Sequence, residues 1–79
     1  MKNSIFVCEN GWIICGVEKT NTRDTQIHLE EAFVVRRWSN GRGIGALAKE
    51  AHKHEYTLDE MGAVDIFANK VLFEIPCEW

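Results

Sequence analysis

Apolar and polar positions alternate along most of the chain, with interruptions at turn-forming residues. Ile5-Phe6-Val7-Cys8 is a short β-prone run, and Glu9-Asn10-Gly11 follows it. Asn-Gly between two such runs is a strong hairpin signal, so Trp12 to Glu18 is predicted as the partner strand. Asn21-Thr22-Arg23-Asp24 is polar and turn-like. Gln26 to Trp38 is predicted as a long strand. Ile27 and Leu29 alternate with His28 and Glu30 in its first half. In its second half Phe33 and Val35 face one way, while Val34, Arg36 and Trp38 face the other. Ala32 lies between the halves, where a bend or bulge would change which face is buried.

Gly41, Gly43 and Gly45 end that strand. Ile44, Leu47, Ala48 and Ala51 then fall at i, i+3, i+4 and i+7, the apolar stripe of a short amphipathic helix. Ser39 or Asn40 would cap it, and Lys49 and Lys53 suit its C-terminal end. Tyr56-Thr57-Leu58 predicts a short strand or turn, Gly62 punctuates, and Val64-Asp65-Ile66 alternates. After a turn at Asn69-Lys70, Val71, Phe73, Ile75 and Cys77 share one strand face, and Pro76 marks an edge or a strand end. The expected order is strand, strand, strand, helix, strand, strand. Short turns between strands make this a small, mainly β domain over residues 1–79: an antiparallel sheet or partly closed barrel with one short helix. An oligonucleotide-binding barrel also places a helix after its third strand, an analogy of fold that carries no function.

Composition adds limits. The chain has 79 residues, of which 46% are hydrophobic and 27% charged, enough for one small core and too apolar for disorder. Net charge is −3 and the pI is about 5.5, which disfavours a nucleic-acid partner. Positive charge is nevertheless concentrated: Ala32 to Ala48 holds three arginines and no acid. The three cysteines are odd in number and no leader-like segment precedes them. This fits reduced thiols in the cytoplasm better than a disulfide framework. No apolar run nears the roughly 18 residues that would span a bilayer.

The segment Arg36-Arg37-Trp38-Ser39-Asn40-Gly41-Arg42-Gly43 holds the richest candidate chemistry. Glycines let successive N–H groups converge on an anion, arginines fork onto phosphate or carboxylate, and a tryptophan stacks on a ring. Arg36, Arg37, Trp38, Asn40, Gly41, Arg42 and Gly43 are therefore the candidate ligand-binding set for a small anion such as a nucleotide. The plain alternative is a strand-to-helix turn whose arginines pair with Glu30, Glu31 or Asp59. The loop lacks the lysine of the Walker phosphate loop. His52 and His54 would diverge on a helix and share no metal, and adjacent Asp59 and Glu60 read as a solvated acidic turn. No catalytic residues, cofactor or metal site are predicted. Trp12, Trp38 and Trp79 exceed what one small core encloses, so Trp12 and Trp79 are the candidate interface residues of a homo-oligomer.

Ala32-Phe33-Val34-Val35-Arg36-Arg37-Trp38, the glycine turn, Leu47-Ala48, Thr57-Leu58-Asp59, Gly62-Ala63-Val64 and Ile75-Pro76-Cys77 together resemble a group of small proteins of unassigned role carried by bacteriophages and prophages. Gly16 matches that group's hairpin glycine, whereas Asn10-Gly11 and Trp12 depart from its pattern. The resemblance implies a cytoplasmic protein of a virus or mobile element and supplies no catalytic residues. In that setting the expected function is non-enzymatic. Either the protein sequesters a small anionic ligand, such as a nucleotide signal, or it is an adaptor or inhibitor that meets a host or viral protein through its tryptophans. Single-stranded nucleic-acid binding is a third possibility, which the net acidity disfavours.

Overall fold

A computed structural model describes residues 2–20 and 23–79. Among these residues are five strands: β1 (Ser4–Cys8), β2 (Ile13–Glu18), β3 (Gln26–Trp38), β4 (Tyr56–Phe67) and β5 (Val71–Pro76). They form one antiparallel sheet in the order β4-β3-β2-β1-β5. β1 to β4 make a meander, so the analogy to an oligonucleotide-binding Greek-key barrel extends only to the number of strands. β4 and β5 lie at opposite ends of the order, yet only Ala68–Lys70 separates them in sequence. The four steps from Phe67 to Val71 reach about 14 Å at full extension. The sheet must therefore curl until its two edges approach at that end, without pairing there.

Asn10 (φ 64°) and Gly11 (φ 80°) supply the left-handed backbone of the β1–β2 turn, as the Asn-Gly pair predicts. The turn expected over 21–24 includes Asn21 and Thr22, which lie outside the described residues. The irregularity expected at Ala32 is present: the β3–β4 register shifts on both sides of Ala32, and Glu31 adopts φ 52°. Gly16 of β2 lies beneath this bulge. A Cβ at Gly16 would sit 3.1 Å from the Ala32 Cβ and 3.2 Å from the Leu29 Cβ, so glycine permits the close approach of β2 to β3.

The amphipathic helix does not form. Its place is taken by two 3-10 turns, Ile44–Ala48 and Glu50–Glu55, separated by Lys49 in extended conformation (φ −92°, ψ 127°). A repeat of three suits 3-10 winding as well as an α-helical stripe, and Gly43 and Gly45 weaken the longer form. Leu47 and Ala48 are buried as expected, but Ala51 is exposed. The two fragments expected around Tyr56–Leu58 and Val64–Ile66 are one continuous twelve-residue strand. Gly62 (φ 79°) lets it run on through a bulge instead of ending.

Neighbouring residues of β1 serve two core clusters. Ile5 packs with Cys15, Val35, Leu47, Tyr56 and Cys77, under the 3-10 turns. Phe6 packs with Cys8, Ile14, Ile27, Leu29 and Ile66. The second cluster also gathers Val64 of β4 and Val71 of β5, which unites the two ends of the strand order. Arg23 lies over Phe6, its guanidinium carbon 5.8 Å from the ring centroid. It binds Glu18 of β2 (Nε to Oε2, 2.7 Å) and Glu74 of β5 (2.5 Å), bridging the strands on either side of β1. This pairing raises the Arg23 pKa and lowers that of Glu18. The three cysteines are buried and unbridged. A hydrogen bond with Cys77, reinforced by burial, pushes the Cys15 thiol upward, which keeps it protonated and inert.

Candidate functional site

The arginine–tryptophan–glycine segment leaves the end of β3 and is tied to its own neighbours. Arg36 Nη1 donates to Asp59 Oδ2 of the adjacent strand at 3.0 Å. Trp38 Nε1 donates to the Arg42 carbonyl at 2.7 Å, and its ring lies 5.4 Å from that of Tyr56, tilted by 39°. Asn40 accepts the Arg42 N–H at 2.9 Å through Oδ1, an Asx turn, and donates through Nδ2 to Glu55 Oε1 at 2.6 Å. Arg42 Nε lies 3.7 Å from that same Glu55 oxygen, and His52 Nδ1 lies 3.3 Å from the other one. The Asn40 hydrogen bond, followed by that of His52, lowers the Glu55 pKa. Gly41 takes φ 77°, and the Gly43 carbonyl accepts the Tyr56 hydroxyl at 2.6 Å. Arg37 is exposed and makes no ion pair or side-chain hydrogen bond among the described residues.

Among the expected pairings, Arg36–Asp59 forms. The hub of the loop is Glu55, which no sequence pattern singles out. It lies fifteen positions from Asn40, and only the return of the 3-10 turns brings it back to the loop. Asp59 and Glu60 lie in β4 and not in a solvated turn. His52 and His54 fall on the second 3-10 turn. Among the described residues, no group of three or more His, Cys, Asp or Glu side chains could hold a metal ion.

The two candidate interface tryptophans differ. Trp79 is half-buried against the core, donates through Nε1 to the Leu47 carbonyl at 2.8 Å, and has Lys53 Nζ 4.6 Å from its ring centroid. Its carbonyl accepts both the backbone N–H (2.9 Å) and side-chain amide (2.8 Å) of Asn3. This docking within the chain accounts for its order. Trp12 is 58% exposed. It follows the β1–β2 turn, and with Asn10 and Met61 of β4 it lines two neighbouring clefts. One, of about 600 Å³, runs toward Val34, Arg36 and Asp59. The other, of about 380 Å³, has Ile14, Val64 and Ile66 in its lining and Phe67 and Lys70 beside them. It is mainly apolar, because the curl leaves that side of the Phe6 cluster open. Met61 and Phe67 were not predicted as site residues. Their exposure depends on β4 being an edge strand, which alternation alone does not reveal.

His28 occupies a separate position on β3, with Nδ1 2.7 Å from Asp65 and Nε2 3.3 Å from Glu30. Asp65 first and Glu30 second raise its pKa above the ordinary value. A raised folded-state pKa gives stability that is complete below the unfolded value of about 6.5 and is lost as pH rises through the folded value. His28→Gln is therefore expected to lower the melting temperature at acidic pH and to converge on the parent protein at alkaline pH. Melting curves across that range check this. A difference that does not vary with pH would show that the imidazolium contributes nothing.

The chain has no significant match among protein-family models, curated proteins or solved structures. Among the described residues, no helix is long and apolar enough to cross a membrane.

Proposed function

We propose that the protein is a non-enzymatic binding module whose working face is the pair of clefts lined by both Trp12 and Met61. Its partner is an extended protein segment that carries a large apolar side chain beside lysine or arginine. The observation that carries this is Trp12, a large aromatic side chain left 58% exposed over an open apolar cleft. Such aromatic anchors, seated where water can be excluded, dominate binding energy. β4 borders the cleft as an edge strand, so its outer backbone is available to an added strand. Glu9, Asp59, Glu60 and Asp65 line the two clefts against Arg36 and Lys70. Arg36 is already paired with Asp59, and Lys70 with Glu9 at 3.3 Å. Asp65 is held by His28 at 2.7 Å, which leaves the Glu60 carboxylate as the charge that favours a basic residue on the segment. In the phage or prophage setting that the sequence resemblance implies, the segment would belong to a host or viral protein.

A displayed library of random peptides tests this. Enriched peptides are expected to combine an apolar anchor with basic residues. Trp12→Ala is expected to weaken them by about 2 kcal/mol or more, roughly 30-fold, with Arg42→Ala close to the parent. Selected peptides that bind Trp12→Ala as tightly as the parent would overturn the proposal.

A second reading, capture of a small anion such as a nucleotide, has one observation in its favour: Arg37 is exposed beside the loop with no acidic partner among the described residues. Arg36, Trp38, Asn40 and Arg42 would have to exchange internal contacts for the ligand. A nucleotide panel that raises the melting temperature of the parent but not of Arg37→Ala would favour it over peptide binding.

A further inference from the structure

Hydrogen bonds at the edge of the sheet fix which backbone groups of β4 face outward. Ala68 N–H donates to the Thr25 carbonyl at 2.9 Å, so Ala68 turns its backbone toward β3. Along an antiparallel strand, residues bonded to the neighbour alternate with residues that are not. Ile66 and Val64, opposite Ile27 and Leu29, therefore also turn toward β3, and Asp65, opposite His28, turns away. β3 gives the same answer independently. The His28 carbonyl accepts the Lys19 N–H at 2.8 Å, and the His28 N–H donates to Thr20 Oγ1 at 2.7 Å. Both backbone groups of His28 are thus used on the side away from β4. β4 has no second neighbour in the sheet, so the Asp65 N–H and carbonyl have no partner among the described residues. Ala63 faces outward by the same alternation. The irregularity at Gly62 bounds this stretch on one side, and the Ala68–Lys70 turn bounds it on the other.

The side chains alternate as well. Val64 and Ile66 pack in the Phe6 cluster and line the apolar cleft with Trp12 and Ile14. Asp65 projects to the opposite face of the strand, where His28 holds it.

We infer that the bound segment adds a strand to β4, antiparallel and centred on Asp65, and that it carries two apolar residues separated by one. This rests on the peptide-binding reading of the clefts and specifies how the peptide lies there. The residue opposite Asp65 exchanges both backbone hydrogen bonds with it and points to solvent. Its two neighbours, opposite Val64 and Ile66, share the face of those side chains and enter the cleft. The one opposite Val64 lies nearer Met61 and is the large anchor. In an antiparallel pair a single peptide residue satisfies both Asp65 groups, whereas a parallel partner meets them at a slant and pairs less stably. With that direction the peptide runs on past Ala63 toward Glu60, so its basic residue follows the apolar pair.

Peptides selected from the displayed library are expected to share an apolar–x–apolar core followed by lysine or arginine. A backbone N-methyl scan of one such peptide, read by titration calorimetry on the full chain, tests the register. Methylation of the residue between the two apolar ones removes the N–H aimed at the Asp65 carbonyl and is expected to weaken binding about tenfold or more. Methylation of either apolar residue, whose N–H points away from β4, is expected to leave binding close to that of the unmodified peptide. Hydrogen exchange at the Asp65 amide is expected to slow when the peptide is added, while the Ile66 amide is protected with or without it. A scan without this alternation, an Asp65 amide that exchanges equally fast at saturation, or a basic residue that precedes the apolar pair overturns the inference, even where binding still depends on Trp12. If no peptide is enriched, or if Trp12→Ala binds as the parent does, the cleft reading fails and this inference fails with it.

Discussion

Phe6→Ala is expected to cost about 3–5 kcal/mol, the range for emptying an aromatic site in a core. Phe6 is fully buried and belongs to the cluster in which residues of β4 and β5 meet. Removing it takes the common support from the two ends of the curled sheet and leaves the Arg23 guanidinium over a void. A domain of this length commands about 4–12 kcal/mol in total, so the variant is expected to be largely unfolded or close to it. Urea unfolding followed by tryptophan fluorescence checks this. If the parent's midpoint is retained, the Phe6 cluster is not what closes the sheet. Trp12→Ala serves as the contrast, because Trp12 is exposed. Its stability change is expected to stay within about 0.5 kcal/mol, while its effect on binding is large.

Leu47→Ala is expected to cost about 2–5 kcal/mol and to show where the loss is felt. Leu47 is fully buried, and it is the main apolar residue by which the 3-10 turns cover Ile5, Cys15 and Val35. Its carbonyl also receives the Trp79 indole. Weakening this cover opens one cluster ahead of the other. Thiol labelling under native conditions is expected to accelerate at Cys15 and Cys77 well before Cys8, which belongs to the Phe6 cluster. Equal acceleration at all three thiols would mean that the two clusters open only together.

Strand positions were legible where local chemistry decides them. Asn10-Gly11 specifies its turn, β3 runs from Gln26 to Trp38 as alternation indicates, and Pro76 ends an edge strand. The helix was misjudged because a spacing of three to four residues does not separate 3-10 from α winding over so short a segment. β4 was divided in two because Gly62 signals a break in sequence, whereas in the sheet its left-handed backbone is what lets the strand continue. The position of the loop after β3 was legible from its glycines, but its internal contacts were not. Glu55 reaches Asn40 and Arg42 only through tertiary folding. The exposure of Trp12 was legible from the presence of three tryptophans in so small a chain. That of Met61 and Phe67 was not, since edge and centre strands share the same alternation.

The three-residue passage from β4 to β5 has a consequence for the order of folding. β1 to β4 are joined as successive neighbours, each able to zip onto the one before with modest loop closure. β5 skips them all and pairs with β1, with Ile5 opposite Ile75, at a sequence distance nearly that of the whole chain. Distant pairings of this kind are the slow step of β-rich domains, on the order of milliseconds to seconds. Until it is complete, Ile5 and Phe6 lack one flank and β1 is itself an exposed edge. The strand that completes the sheet is thus the last to be placed, and the outer side of β1 stays open to other chains until folding is nearly finished.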